Sequence, residues 1–66
     1  SALQLFIEQC CKDVSIQKCT TSNGVRQIIY EFVYPVYQDN TSVEKINSVI
    51  DDITRGVCIK LNIPQE

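Results

Sequence analysis

The chain opens with apolar residues spaced as on one face of a helix. In residues 2–12, ALQLFIEQCCK, and just beyond, the apolar residues lie at helical spacing: Leu3, Phe6, Ile7, Cys10 and then Val14. Leu3, Leu5 and Ile7 also alternate with other residues, which leaves a β-strand as the alternative. We predict a short amphipathic helix over this segment.

Residues 15–34 have the pattern of a β-hairpin. Asn23-Gly24 is the strongest short signal for one, because a type I′ turn needs positive φ at both central residues. The flanking runs, VSIQKCTT and VRQIIYEFVY, are rich in β-branched and aromatic residues. Pairing across the turn would place Cys19 opposite Ile28. Apolar residues on both faces of the second run indicate a strand that is covered on both sides.

A second helix is marked at both ends. Pro35 cannot donate a hydrogen bond to a sheet and is expected to end the preceding strand. Thr41 and Glu44 match the capping box that starts a helix, and Gly56 fits the left-handed residue that follows one. We predict a helix over residues 42–55. Its apolar stripe consists of Val43, Ile46, Val49, Ile50 and Ile53.

The last segment, VCIKLNI at residues 57–63, alternates between apolar and other side chains, as a strand does. A strand, a helix and a strand in succession favour a right-handed crossover between parallel strands. The predicted fold class is therefore α+β. We expect one domain over residues 1–66, in the order α-β-β-α-β, with a three-stranded mixed sheet.

Four cysteines in 66 residues favour an oxidising compartment and two disulfides. A domain of this size buries only about 60% of the surface that its unfolded chain exposes, so disulfides would add needed stability. Free thiols and a zinc site are the alternatives, but zinc ligands usually come in closely spaced pairs. We predict a secreted protein whose mature chain begins at Ser1.

The predicted sheet constrains how the cysteines pair. If Val57, Ile59 and Leu61 share the face that carries Cys19, Cys58 points to the other face. Cys19 and Cys58 then cannot readily bridge, because bridged Cα atoms lie within about 7 Å. Cys10 and Cys11 are adjacent and would then reach two different partners. We predict the pairs Cys10–Cys58 and Cys11–Cys19, with the swapped pairing as the alternative. In either case the adjacent cysteines staple the first helix to the sheet.

Charge and residue types exclude several functions. The net charge is −2 and the six basic residues are scattered, which argues against nucleic-acid binding. No apolar run is long enough to span a membrane. The chain contains no histidine, which excludes Ser–His and Cys–His nucleophiles. Asp51 and Asp52 are adjacent on a predicted helix and do not converge. We therefore predict a non-enzymatic protein with no catalytic residues, no metal and no cofactor.

Aromatic residues supply the candidate binding surface. Tyr34 and Tyr37 flank Pro35, and tyrosine is enriched where proteins bind one another. We expect these two tyrosines to contact a protein partner, although burial in the core is the alternative. The edges of the predicted sheet offer a second route, self-association by strand addition. Asn40-Thr41-Ser42 is a candidate N-glycosylation site.

Residues 28–61 resemble the opening of the catalytic domain of astacin-family zinc metallopeptidases. Ile29-Tyr30-Glu31-Phe32 is similar to the family's first strand, and Val57-Cys58-Ile59-Lys60-Leu61 to its second strand, with Cys58 at the family's cysteine. Three residues of the predicted helix match its core positions: Ile46, Ile50 and Ile53. The resemblance implies a strand–helix–strand unit. The family's zinc motif, H-E-x-x-H-x-x-G-x-x-H, has no counterpart in a sequence without histidine, so no zinc site is expected.

The leading functional hypothesis is a small secreted protein that acts by binding another protein, as an effector, toxin, inhibitor or immunomodulator. The second is a processed fragment or interaction subdomain of a larger extracellular protein that needs a partner chain. The third is a thiol or redox protein that uses Cys10 and Cys11, but such proteins typically carry C-x-x-C.

Overall fold

The computed structural model describes residues 1–65, and it places every side chain in that range except that of Val14. The chain forms four helices, which are α1 (Ala2–Lys12), α2 (Val14–Gln17), α3 (Ser22–Tyr37) and α4 (Val43–Leu61). None of residues 1–65 belongs to a β-strand. The prediction of an α+β fold with a three-stranded sheet is therefore wrong, and the fold is all-helical.

Helix α1 confirms the first predicted element, with the same bounds. The Ser1 hydroxyl accepts a hydrogen bond from the Gln4 amide at 3.3 Å and so caps the first turn. Ile7 and Cys10 are the buried residues of this helix, which confirms part of the predicted apolar face. The chain turns out of the helix at Asp13, which adopts an extended conformation.

Helix α2 is a single turn that joins α1 to α3. The Asp13 carboxylate caps it by accepting hydrogen bonds from the amides of Ser15 at 2.8 Å and Ile16 at 3.3 Å. Ile16 is fully buried, so this short segment is anchored in the core. The predicted hairpin, which begins at residue 15, is therefore wrong over residues 15–17, because they are helical.

The predicted hairpin is replaced by helix α3. Thr21 caps this helix by accepting a hydrogen bond from the Gly24 amide at 3.2 Å. Asn23-Gly24 therefore lies in the first helical turn, where neither residue has the positive φ that a type I′ turn requires. Val25, Ile29 and Val33 are buried, and they recur every four residues. The apolar residues that suggested a two-sided strand form a helical stripe instead.

Pro35 lies inside α3 and does not end an element. Because proline has no amide hydrogen, the carbonyl of Glu31 lacks its usual partner in the helix. The helix continues only to Tyr37, so the proline falls in its final turn, where it is exposed. The Gln38 amide then closes that turn by donating to the Tyr34 carbonyl at 2.9 Å.

Helix α4 confirms the predicted second helix but extends it at the C-terminal end. Its N-cap is Ser42, one residue after the predicted Thr41, and the Ser42 hydroxyl accepts from the Lys45 amide at 3.2 Å. The helix runs through Gly56 and ends at Asn62, whose φ of 57° is left-handed. The predicted strand over residues 57–63 is therefore wrong. Burial explains the outcome, because Val57 and Cys58 continue the helical stripe into the core.

Helices α3 and α4 form a helical hairpin that carries most of the core. The five residues that connect them, 38–42, make them antiparallel neighbours. Helix α1 packs against α4 as well. The molecule is 17 Å across in its shortest dimension, which corresponds to two layers of helices. The fully buried large side chains of the core are Ile16, Ile29, Ile46, Ile50, Val25, Val57 and Cys58.

Two further expectations depended on strands. The segments that resemble the first two strands of the astacin-family domain, residues 29–32 and 57–61, are helical. The resemblance itself stays a prediction. Self-association through a sheet edge has no basis in residues 1–65, because they form no sheet.

Candidate functional site

The N-terminal half of α1 leaves apolar side chains exposed to solvent. Its stripe buries Ile7 and Cys10, but Leu3 and Phe6 remain 45% and 38% exposed. Ala2, Leu3 and Phe6 lie on the same side of the helix and form one wall of a groove.

The C-terminal half of α3 forms the opposite wall. Val33 is buried, whereas Phe32, Val36 and Tyr37 are 43%, 72% and 41% exposed. Phe32 and Val36 are four positions apart, and so are Val33 and Tyr37, so each pair lies on one side of the helix. The side chains of Val49 and Ile53 on α4 lie between the two walls and make the floor.

The resulting cavity, which we call the apolar groove, has a volume of about 390 Å³. No charged side chain lines it. Five large apolar side chains of this groove are exposed together: Leu3, Phe6, Phe32, Val36 and Tyr37. Contiguous exposed apolar patches mark interaction sites more often than single exposed residues do.

The two tyrosines predicted to contact a partner have different positions. Tyr37 lines the apolar groove. Tyr34 is half-buried, packs against the core, and stacks on Tyr30 with 5.1 Å between the ring centroids. Of the two, Tyr37 thus lies in the groove, and Tyr34 does not line it.

A second cleft is polar and lies elsewhere, between the start of α3 and the second half of α4. Its volume is about 260 Å³. Arg26 and Asp51 pair across it at 2.9 Å, and Arg55 approaches Asp52 at 3.7 Å. Thr54 also lines this cleft and is buried, and its hydroxyl has no hydrogen-bond partner among residues 1–65. The paired charges leave little net charge to attract an ionic ligand.

The four cysteines are free thiols, so the prediction of two disulfides is wrong. Neither Cys10–Cys58 nor Cys11–Cys19 is bonded, and the swapped pairs are not bonded either. Cys10 and Cys58 are buried and fill the core as small hydrophobic side chains. Core packing, and not a covalent staple, holds α1 against α4.

Burial makes the thiols of Cys10, Cys11 and Cys58 poor nucleophiles. It raises the pKa of Cys10 from 9.0 to about 11, with smaller contributions from Cys11 and Asp13. It also raises the pKa of Cys11 and of Cys58, the latter with a further contribution from nearby Cys19. Thiolates are the reactive form, and raised pKa values reduce their population at neutral pH. No group of three metal-ligating side chains occurs in the described part of the chain.

The predicted glycosylation site at Asn40 lies in the exposed turn between α3 and α4. The backbone amide of Asn40 donates to the Tyr37 carbonyl at 3.2 Å. The hydroxyl of Ser42, the third residue of the sequon, caps α4. Glycosylation at this position stays a prediction.

Of the groove residues, Tyr37 alone is predicted from the sequence to contact a partner. Phe32 lies in the run predicted as the second strand, and Val36 follows the proline that is expected to end it, although their spacing of four residues is also helical. Leu3 and Phe6 belong to the predicted apolar face of the first helix, which is expected to face the core. That they lie across a groove from α3 depends on contacts between distant parts of the chain, which no local pattern reveals.

We found no matching protein family, no similar curated protein and no similar solved structure for this chain. None of the helices within residues 1–65 is both long enough and apolar enough to cross a membrane.

Proposed function

We propose that this protein acts by binding another protein, and that the apolar groove is its binding site. The observation that carries the proposal is the grouping of exposed apolar side chains from α1 and α3 over one cavity. Leaving them in water is unfavourable, at about 25 cal/mol for each Å² of apolar surface. A partner that covers the groove would recover that free energy.

The composition of the groove also fits a protein ligand. Phe6, Phe32 and Tyr37 are aromatic, and aromatic side chains are enriched at the centre of protein interfaces. The groove floor is built on α4, whose buried stripe fixes its position. A site on rigid helices loses little conformational entropy when a partner binds.

We propose that the protein is non-enzymatic and secreted, as the sequence suggested. It would act as an effector, toxin, inhibitor or immunomodulator. Because the four cysteines are free thiols, disulfides no longer support secretion. Binding through the groove does not depend on the compartment.

Two matched pairs of variants test the proposal. Leu3→Asp and Val36→Asp place a carboxylate in the groove, whereas Leu5→Asp and Val43→Asp make the same changes at exposed residues outside it. Each variant is immobilised and used to capture proteins from extracellular extracts, which are identified by mass spectrometry. We expect a partner that the wild type and both control variants retain and both groove variants lose. Retention by all five proteins, or by none, would contradict the proposal.

The alternative function is that of an interaction subdomain that needs a partner chain to cover the same groove. Sedimentation equilibrium at low micromolar concentration separates the two. A folded monomer supports an independent binding protein. A chain that folds only when a partner is added supports the subdomain.

A further inference from the structure

We infer that Asn23 is a site of spontaneous deamidation, and that the first turn of α3 controls how fast it reacts. The dipeptide Asn23-Gly24 indicates a hairpin in the sequence but begins a helix in the structure. It lies at the opposite end of α3 from the apolar groove, so the inference does not depend on the proposed function.

The reaction needs only these two residues and water. The backbone nitrogen of Gly24 attacks the side-chain carbonyl carbon of Asn23, and the new N–Cγ bond closes a five-membered succinimide ring. The bond from Cγ to Nδ2 breaks, and ammonia leaves with the proton that the Gly24 nitrogen gives up. Water then opens the ring at one of its two carbonyl carbons and returns a proton to the nitrogen. The product at position 23 is aspartate or isoaspartate.

Gly24 makes Asn23 the most reactive of the four asparagines. Glycine has no Cβ, so its nitrogen is unshielded and its backbone is free to adopt unusual conformations. The other three asparagines precede larger residues, in the pairs Asn40-Thr41, Asn47-Ser48 and Asn62-Ile63. Threonine and isoleucine branch at Cβ, which crowds the attacking nitrogen further. In an unfolded chain, Asn23 should therefore deamidate first.

The folded chain holds the dipeptide in a conformation that cannot close the ring. Asn23 and Gly24 lie in the first turn of α3, and ψ in a helix is about −42°. The succinimide ring is nearly planar, which requires a ψ at Asn23 far outside the helical range. The Gly24 amide also donates to the Thr21 hydroxyl at 3.2 Å. This hydrogen bond opposes loss of the proton, so the reaction waits until the turn opens.

The turn can open without disturbing the core. Val25 is the first buried residue of α3, and it is fully buried. Asn23 is exposed and Gly24 is partly buried, so unwinding the helix as far as Gly24 moves no core side chain. Glycine is a weak helix former, and helix ends open locally at a low cost in free energy. The cap at Thr21 therefore sets how often Asn23 can react.

Deamidation would change the polar cleft, which Asn23 lines. Aspartate at position 23 adds a carboxylate to a turn without acidic residues, three positions before Arg26. Arg26 pairs with Asp51 at 2.9 Å, so the new carboxylate competes for the same guanidinium. Isoaspartate adds a methylene group to the main chain, which disrupts the hydrogen bonds of the turn. Both products make the net charge of the cleft more negative.

Peptide mapping of the full chain tests the inference. Trypsin cleaves after lysine and arginine, so it releases Asn23 within residues 19–26 and places each other asparagine in a separate fragment. Deamidation replaces NH by O, and mass spectrometry follows this increase in mass in each fragment over time. The chain is incubated with reductant, both folded in buffer and unfolded in guanidinium chloride.

Three variants test the role of the cap. Thr21→Ala removes it, Thr21→Ser keeps a capping hydroxyl, and Thr20→Ala changes the exposed threonine beside it. In the unfolded chain, residues 19–26 should deamidate faster than the other three fragments. Folding should slow this reaction about five- to thirtyfold, and Thr21→Ala should accelerate it about fivefold in the folded chain. Thr21→Ser and Thr20→Ala should react as the wild type does.

Asn47 separates local opening from global unfolding. It lies within α4, so its fragment, residues 46–55, reacts faster only if the whole chain unfolds more often. An acceleration in Thr21→Ala that is confined to residues 19–26 supports the inference. Three results would overturn it: equal rates at Asn23 in the folded and unfolded chain, faster reaction of another asparagine in the unfolded chain, or a Thr21→Ala variant that reacts no faster than Thr20→Ala. An acceleration that Asn47 shares would also overturn it.

Discussion

Ile7 on α1 lies directly against Gly56 on α4. A Cβ atom placed on Gly56 would be 2.6 Å from Ile7 Cδ1 and 3.3 Å from Ile7 Cγ1. Gly56 has an ordinary helical conformation, so its lack of a side chain serves the close approach of the two helices and not an unusual φ. In the sequence, Gly56 indicates the end of a helix. In the structure, it lies inside α4 and allows α1 to pack closely against that helix.

This contact predicts a coupling between the two positions. Gly56→Ala should gain about 1 kcal/mol from helix propensity but displace Ile7, for a net loss of about 1 kcal/mol. Ile7→Val removes Cδ1, so Gly56→Ala in that background should become stabilising. Urea unfolding of the four proteins gives the coupling energy, which we expect to be about 1–2 kcal/mol.

Gly24→Ala is the matched control for this cycle. A Cβ at Gly24 would meet its nearest neighbours, Cys19 and Thr21, at 3.4 Å. The effect of Gly24→Ala on the free energy of unfolding should be the same whether position 7 holds Ile or Val. Equal effects of Gly56→Ala in the two backgrounds would show that the helices do not approach as closely as described.

The secondary structure could be predicted only where local pattern and burial agree. Helix α1 and the first part of α4 have caps and helical spacing, and both were predicted. In α3, Asn23-Gly24 and a run of β-branched residues favoured a hairpin. The spacing of Val25, Ile29 and Val33 was equally helical, and their burial against α4 decided the outcome. Short apolar runs allow both structures, so tertiary packing determines which one forms.

Removing the hydroxyl of Thr54 should stabilise the protein. Thr54 is 7% exposed and its Oγ1 has no hydrogen-bond partner among the described residues. An unsatisfied buried polar group costs about 1–3 kcal/mol, so Thr54→Val should raise the free energy of unfolding by about 1 kcal/mol. Thermal and urea unfolding measure the change.

Two controls isolate the hydroxyl. Thr54→Ser keeps it and loses the methyl group, so it should destabilise the protein by about 1 kcal/mol. Thr20→Val changes an exposed threonine and should stay within about 0.5 kcal/mol of the wild type. A loss of stability in Thr54→Val would mean that the hydroxyl is hydrogen-bonded.

Replacing asparagine by glycine should have opposite effects on stability at the end of α4 and within the helix. Asn62 has φ 57° and its amide donates to the carbonyls of Cys58 and Ile59. Glycine adopts this conformation without steric cost, so Asn62→Gly should stabilise the protein by about 0.5 kcal/mol. Asn47→Gly, within the same helix, should destabilise it by about 0.3 kcal/mol. If both changes destabilise equally, α4 does not end in a left-handed residue.

The free thiols predict a simple labelling result. In denaturant without reductant, iodoacetamide should modify all four cysteines, and prior reduction should not increase the number of adducts seen by mass spectrometry. In the folded protein, half-buried Cys11 and Cys19 should react before buried Cys10 and Cys58. Fewer than four adducts without reductant would restore the disulfide interpretation.

The buried thiol of Cys10 should make the folded protein less stable at high pH. Burial raises its pKa from 9.0 to about 11 in the folded chain. Between these values the unfolded chain releases the thiol proton while the folded chain keeps it, so rising pH favours unfolding. The contribution of this group to stability is complete below pH 9 and is lost as the pH rises towards 11. Urea unfolding with reductant at pH 8 and pH 10.5 should show a decrease in the wild type. Cys10→Ala should show a smaller decrease, because the other titrating groups are shared, and parallel decreases would show that Cys10 is accessible to water.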